Sequence, residues 1–127
     1  TGAVTHYFDG KDAVLIAALE VLVRQIADRD AWRPAPGVDP ASALIEGCCD
    51  ILPLDAETRG EWRVWLDYWA RAIHEPRLAA IHRDHYARIT GAIAAALVDG
   101  AGFEPERANI TADAIVAAVD GVGVRAT

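Results

Sequence analysis

The stretch Glu61–Ile73, EWRVWLDYWARAI, decides the fold. At about 100° per residue, Trp62, Trp65, Leu66, Trp69 and Ile73 recur at i, i+3, i+4, i+7 and i+11. They make one apolar stripe on an α-helix, while Arg63, Asp67 and Arg71 point elsewhere. The stripe holds three of the chain's four tryptophans. Each indole brings roughly 150–250 Å² of surface to hide, so other helices must surround this one. Two readings fit: the helix is the centre of a packed core, or it walls a ligand cavity.

Outward from this helix, proline and capping residues mark the boundaries. Asp55 is placed to cap it, and Glu75-Pro76 ends it, with Pro76 opening the next helix. Leu78, Ile81, His82, His85, Ile89, Ala92, Ala96 and Val98 carry that next helix to the glycines at 100 and 102, and a last helix starts near Pro105 and runs to the end. Upstream, Trp32–Val38 (WRPAPGV) is a linker, since its prolines and glycine cannot sustain a helix. Asp39-Pro40 then restarts one that ends near Pro53. From Lys11, Val14, Leu15, Ala18, Leu19, Leu22 and Ile26 repeat at helical spacing to about Arg29, with Asp9 as the N-cap. Thr1–Phe8 reads as the last turns of an earlier helix, interrupted by Asp9-Gly10. The expected class is all-α: one fragment and five helices joined by short loops.

With 127 residues, 53% hydrophobic and 24% charged, the chain suits one globular domain with a real core. It contains no run of 18 apolar residues and no basic-plus-apolar leader, so a cytoplasmic protein without membrane contact is expected. Thr1 comes first and methionine is absent, so the sequence is expected to begin inside a longer gene product. A net charge of −7 disfavours general polyanion binding, so any nucleic-acid contact must be local. The adjacent Cys48 and Cys49 point about 100° apart on a helix, which disfavours a disulfide between them and leaves buried free thiols as the expectation.

Small residues form two further stripes. Ala114, Ala117, Ala118 and Gly121 lie on the last helix, and Ala87, Gly91, Ala94 and Val98 on the helix before it. Such stripes let helix axes approach closely. They serve packing within the chain or, in the sharper reading, an isologous interface in which both helices meet their copies in a homodimer.

Catalytic and metal readings find little support. His82 and His85 at i, i+3 could share a metal, but no clear third ligand accompanies them, so no metal or other cofactor is expected. Ser42 is the only serine and lacks a glycine-flanked nucleophile elbow. A small all-α enzyme using an aromatic cavity, and a purely structural dimerisation module, stay open as alternatives.

The residues TGAVTHYFDGKDAVLIAALE resemble the end of the DNA-binding domain of the tetracycline-repressor (TetR) family, in which a recognition helix ending in a tyrosine-phenylalanine pair is followed by a short turn, a lysine and a long connecting helix. Here those parts read Tyr7-Phe8, Asp9-Gly10, Lys11 and Asp12–Arg29. EWRVWLDYWARAIHEPRLAAIHRDHYARI and the closing DAIVAAVDGVGVRAT look like the ligand-binding domain of the same family, in the branch resembling the choline/betaine-operon repressors. The resemblance implies that residues 1–10 end an incomplete helix-turn-helix domain and that residues 11–127 form a helical ligand-binding and dimerisation domain.

It places Thr1, Gly2, Thr5 and His6 against bases or the sugar-phosphate backbone, and Tyr7 and Lys11 on phosphates. Thr5 departs from the family pattern, which commonly has tyrosine there. The motif's first two helices do not occur in this sequence, so operator binding is expected of the intact protein. The implied effector cavity lies between the tryptophan helix, the helix before it and the two after it, with Trp62, Trp65, Trp69, His82 and Tyr86 as its wall. Aromatic rings with a few polar groups suit a flat apolar ligand or a cation held on ring faces. Asp67 lies on the opposite face of its helix and is a poor counter-ion. The function expected is that of a ligand-responsive regulator, a repressor acting as a homodimer on a palindromic operator and not an enzyme.

Overall fold

The computed structural model describes residues 11–28 and 37–127, and every element among them is an α-helix. These are α1 (Lys11–Asp28), α2 (Pro40–Ile51), α3 (Ala56–Ala72), α4 (Pro76–Ala101) and α5 (Pro105–Ala126). Thr1, Gly2, Thr5, His6 and Tyr7 lie outside the described residues, as does most of the proline-rich linker. Lys11 opens α1, and its side chain is also outside the described part.

The expected helix end at Thr1–Phe8 and the Asp9 cap lie outside the described residues; the expected boundaries from Asp39 onward hold. The Asp39 carboxylate accepts from the Ser42 amide at 3.0 Å, and Pro40 fills the first turn of α2. Asp55 and Thr58 form a reciprocal capping box at the start of α3, with the Thr58 amide donating to Asp55 at 2.8 Å and the Asp55 amide to the Thr58 hydroxyl at 3.2 Å. Gly102, at φ 67°, ends α4 in the left-handed region. The amides of Gly102 and Phe103 turn back to the carbonyls of Val98 and Leu97, which satisfies the orphan acceptors of the last turn. Glycine adopts that backbone conformation without the penalty a side chain brings.

The helix at the centre is α4, which packs against each of the other four; the tryptophan helix α3 packs against α1, α4 and α5. Its 26 residues span about 39 Å at 1.5 Å per residue, long enough to carry two cores in series. Around its first turns, Leu78 joins Leu19 and Val23 of α1 and Tyr68 and Ala72 of α3. Near its end, Ile93, Ala94 and Leu97 close against Ala108 and Ala112 of α5.

The buried stripe of α3 is rotated from its expected position. Tyr68 is fully buried and Ala72 nearly so, while Ile73 is 77% exposed. Ile73, the C-cap of α3, still has helical backbone angles; because the buried face runs through Tyr68 and Ala72, the next residue, about 100° further round, points outward. Both thiols are free, but only Cys48 is half-buried and Cys49 is exposed, against the expectation that both are hidden. Burial, and then the neighbouring Cys49, push the Cys48 thiol up, away from a reactive thiolate.

Trp62 fixes how α3 meets α2 and α5. Its Nε1 donates to the Ile51 carbonyl at 2.6 Å, in the last turn of α2, where backbone acceptors lack helical partners. Its six-membered ring lies on Gly123 of α5, where a Cβ would fall 2.0 Å from the ring. Gly123→Ala should therefore lower stability by about 1–3 kcal/mol through overpacking. Gly60→Ala, where a Cβ meets nothing within 4 Å, should raise it by roughly 0.5–1 kcal/mol through helix propensity. Urea unfolding of the two variants checks the contrast, and equal effects would contradict the seat assigned to Trp62.

Candidate functional site

Three helices converge on a cluster of rings. Trp65 and Trp69 come from consecutive turns of α3, and His82, His85 and Tyr86 from one face of α4 at i, i+3 and i+4. Trp65 stacks on His85 with centroids 5.0 Å apart and planes 23° off parallel, and meets Tyr68 edge-on at 5.6 Å. Trp69 points its ring edge-on to His82 at 6.4 Å and lies 6.5 Å from Tyr86. His82 and Tyr86 are 4.4 Å apart, and His85 meets Tyr86 edge-on at 5.8 Å. Leu15 and Ile16 of α1 pack on the apolar core beneath. The helix flanking these rings is thus α1, whereas the sequence pointed to the helix before α3.

The polar groups of the cluster fall into two sets. One set is satisfied. The Tyr68 hydroxyl donates to the Leu78 carbonyl, and the Tyr86 hydroxyl donates to the Asp120 carboxylate of α5 at 2.8 Å. Burial first, then the Glu20 charge, raises the Tyr68 phenol to about 12. Burial, then the bond to Asp120, raises Tyr86 further, so its proton stays in place to be donated. Burial likewise raises the Asp120 carboxyl, against the lowering effect of Tyr86 and His82. The other set has no partner: Trp69 Nε1 and His82 Nδ1 are buried without a hydrogen bond among the described residues. Such groups normally find protein, water or a ligand.

Of the five residues expected at a ligand wall, Trp65, Trp69, His82 and Tyr86 are brought together. Trp62 touches Trp69 edge-on at 6.0 Å but is otherwise committed to Ile51 and Gly123. His85, which the sequence places on the periodic face of its helix and beside His82 as a possible metal ligand, is a ring of the cluster, and no group of three or more metal-ligating residues occurs among the described residues. Tyr68 and Asp120 were missed. Tyr68 had a signal, its spacing of three from Trp65 and four from Ala72, whereas nothing in the sequence joins Asp120 to Tyr86. Asp67 is exposed and sits 4.0 Å from Arg71, away from the rings.

The small-residue stripes divide. Ala94 is buried against α5 and Val98 packs on the same core, so both serve the chain itself. Ala87 and Gly91 on α4, and Ala114, Ala117, Ala118 and Gly121 on α5, remain exposed. A groove of about 410 Å³ runs between the two helices, lined by Tyr86, Ala87, Thr90, Asp113, Ala117 and Asp120 among others.

Residues 40–127 match the family model described as BetI-type transcriptional repressor, C-terminal. The chain belongs to this family. Among BetI-type relatives, the HTH-type transcriptional regulator BetI of Cronobacter sakazakii is 28% identical over 130 residues, which cover 98% of this chain and 62% of the relative. That of Stenotrophomonas maltophilia is 35% identical over 94 residues, covering 70% of this chain and 46% of the relative. The crystal structure of a transcriptional regulator from Rhodococcus sp. Rha1 superposes with a TM-score of 0.83 at 34% identity, over 98% of this chain and 65% of that one. The chain thus spans less than two thirds of each of these proteins. No helix among the described residues is long and apolar enough to cross a membrane.

The ring cluster predicts a pH response. His85 is 8% exposed, and burial, followed by the Arg88 and His82 charges, pulls its imidazole from 6.5 down to about 4. The folded state holds it neutral, so the stability it supports is full above pH 6.5 and is lost as pH falls toward 4. The loss is at most about 3 kcal/mol. His85→Phe should flatten this part of the stability profile, and NMR of the ring carbons should find His85 still neutral at pH 5. A titration midpoint near 6.5 would contradict the burial argument.

Proposed function

We propose that the intact protein is a ligand-responsive transcriptional repressor. It binds a palindromic operator as a homodimer and changes its hold on DNA when a small molecule occupies the ring cluster. The observation that carries the reading is the match of residues 40–127 to a repressor family, on a fold shared with a solved transcriptional regulator. The ring cluster supports an effector site, because Trp69 Nε1 and His82 Nδ1 are buried polar atoms that a ligand could satisfy. A purely structural dimerisation module would have no use for such atoms. The occupant is a flat apolar molecule or a cation held on ring faces, with Asp120 behind Tyr86 as the nearer carboxylate. The exposed small residues of α4 and α5 supply the self-complementary face.

The mechanism is a population shift. Leu15 and Ile16 of α1 pack on the core that carries Trp65 and Trp69, so a ligand spreading the rings favours a different tilt of α1. In the resemblance to the TetR family, α1 is the connection to the recognition helix. The two recognition helices must sit about 34 Å apart, or a multiple, to read successive half-sites, so a small tilt ends the match. Such a regulator acts on chromosomal DNA, which places it in the cytoplasm.

Fluorescence anisotropy on a palindromic operator, with an effector found by thermal-shift screening of small cations and flat heterocycles, tests the reading. Trp69→Ala in the intact protein should keep operator affinity within about threefold and lose the response; a retained response would refute the site. Lys11→Ala should weaken binding to all DNA sequences alike and lower the salt slope by about one. Loss of sequence preference instead would refute a phosphate contact.

A further inference from the structure

Helices α4 and α5 run antiparallel from the turn at Gly102, and they are held by different means along their length. Near the turn, Ile93, Ala94 and Leu97 pack directly on Ala108 and Ala112, all buried. Farther from it the helices part around the groove that Tyr86, Thr90, Asp113 and Asp120 line. There the Tyr86 hydroxyl reaches across to Asp120 at 2.8 Å. The ring that carries this hydroxyl is not free to choose its position: His82 lies 4.4 Å from it, His85 5.8 Å and Trp69 6.5 Å. Asp120 in turn is next to Gly121 and one turn from Ala117, both exposed.

We infer that the Tyr86–Asp120 hydrogen bond is a strut that couples the ring cluster to the C-terminal half of α5. A change in ring packing moves the Tyr86 hydroxyl, and loss of its bond to Asp120 frees the turns of α5 around Asp120 to shift, between the closed Ile93–Ala112 core on one side and Gly123 seated under Trp62 on the other. Burial keeps Tyr86 protonated, so the strut holds across the physiological pH range. The inference rests on the regulator reading only for its consequence at the operator; the strut itself is a property of the helix pair. Tyr86 and Asp120 are positioning residues here, acting on α5 and not on DNA.

Hydrogen exchange on the intact protein without ligand tests it. Tyr86→Phe keeps the ring and removes the hydroxyl. Amides of residues 116–121 should exchange at least tenfold faster while those of Ile93–Leu97 and Ala108–Ala112 keep their protection. Asp120→Ala should reproduce this pattern, and Asp120→Asn, whose side-chain oxygen still accepts from Tyr86, should restore protection. Unchanged exchange in Tyr86→Phe, or acceleration spread evenly over all helices, would overturn the strut. Operator affinity of the same variants, read in parallel, separates the two proposals. A local exchange change with altered affinity supports both. A local change in the variants, where the unsubstituted protein itself binds no operator, keeps the strut and sinks the regulator reading. A local change with operator affinity unaltered keeps the strut and refutes only its consequence at the operator.

Discussion

Trp62 can lie where it does only because residue 123 has no side chain. The indole rests on the backbone of α5, and its N–H takes the Ile51 carbonyl in the last turn of α2, so one side chain of α3 sets two interhelical distances. With that end of α3 fixed, and Tyr68 pinned to the Leu78 carbonyl at the first turns of α4, the orientation of the helix between them is determined. Trp65 and Trp69 must then face His82, His85 and Tyr86. The ring cluster is therefore a consequence of a close helix approach elsewhere, and its geometry is supported from outside itself, as a binding site needs if its groups are to be held ready.

Much of the fold is legible in the sequence because its boundaries are local chemistry. Asp39-Pro40, Asp55 with Thr58, Glu75-Pro76 and Gly102 each act within a few residues, the aspartates through their carboxylates, the prolines through a fixed φ and Gly102 through its freedom to take a positive one. What depends on the tertiary arrangement is harder to read. The tryptophans draw attention to α3, yet the helix that touches all the others is α4, whose alanines and histidines look modest in sequence. Apolar character alone does not say which of two overlapping faces is buried, so the stripe points Ile73 inward while the face through Tyr68 and Ala72 leaves it outward. The ring cluster was recoverable in most of its members, since i, i+3 and i+4 spacings put them on two faces. Asp120 was not: it lies 34 residues from Tyr86, and only the antiparallel pairing of α4 and α5 brings the two together.

The site combines two features that pull in different directions. Stacked and edge-on rings favour a closed, dry cluster, while the unpartnered Trp69 and His82 nitrogens carry the cost of buried polar groups. An occupant that offers hydrogen bonds relieves that cost and must displace rings to enter. On the proposed function, binding and rearrangement would be linked for that reason. The cluster touches α1 through Leu15 and Ile16 and α5 through Asp120, so it stands between α1 and the exposed small-residue face.

The measurement that tests this account most directly is a crystal structure of the intact protein grown with an effector that alters its operator binding. The account predicts density for the effector among Trp65, Trp69, His82 and Tyr86, with Trp62 still seated on Gly123. Density for the effector at any other place, with these rings in unchanged contact, would contradict it.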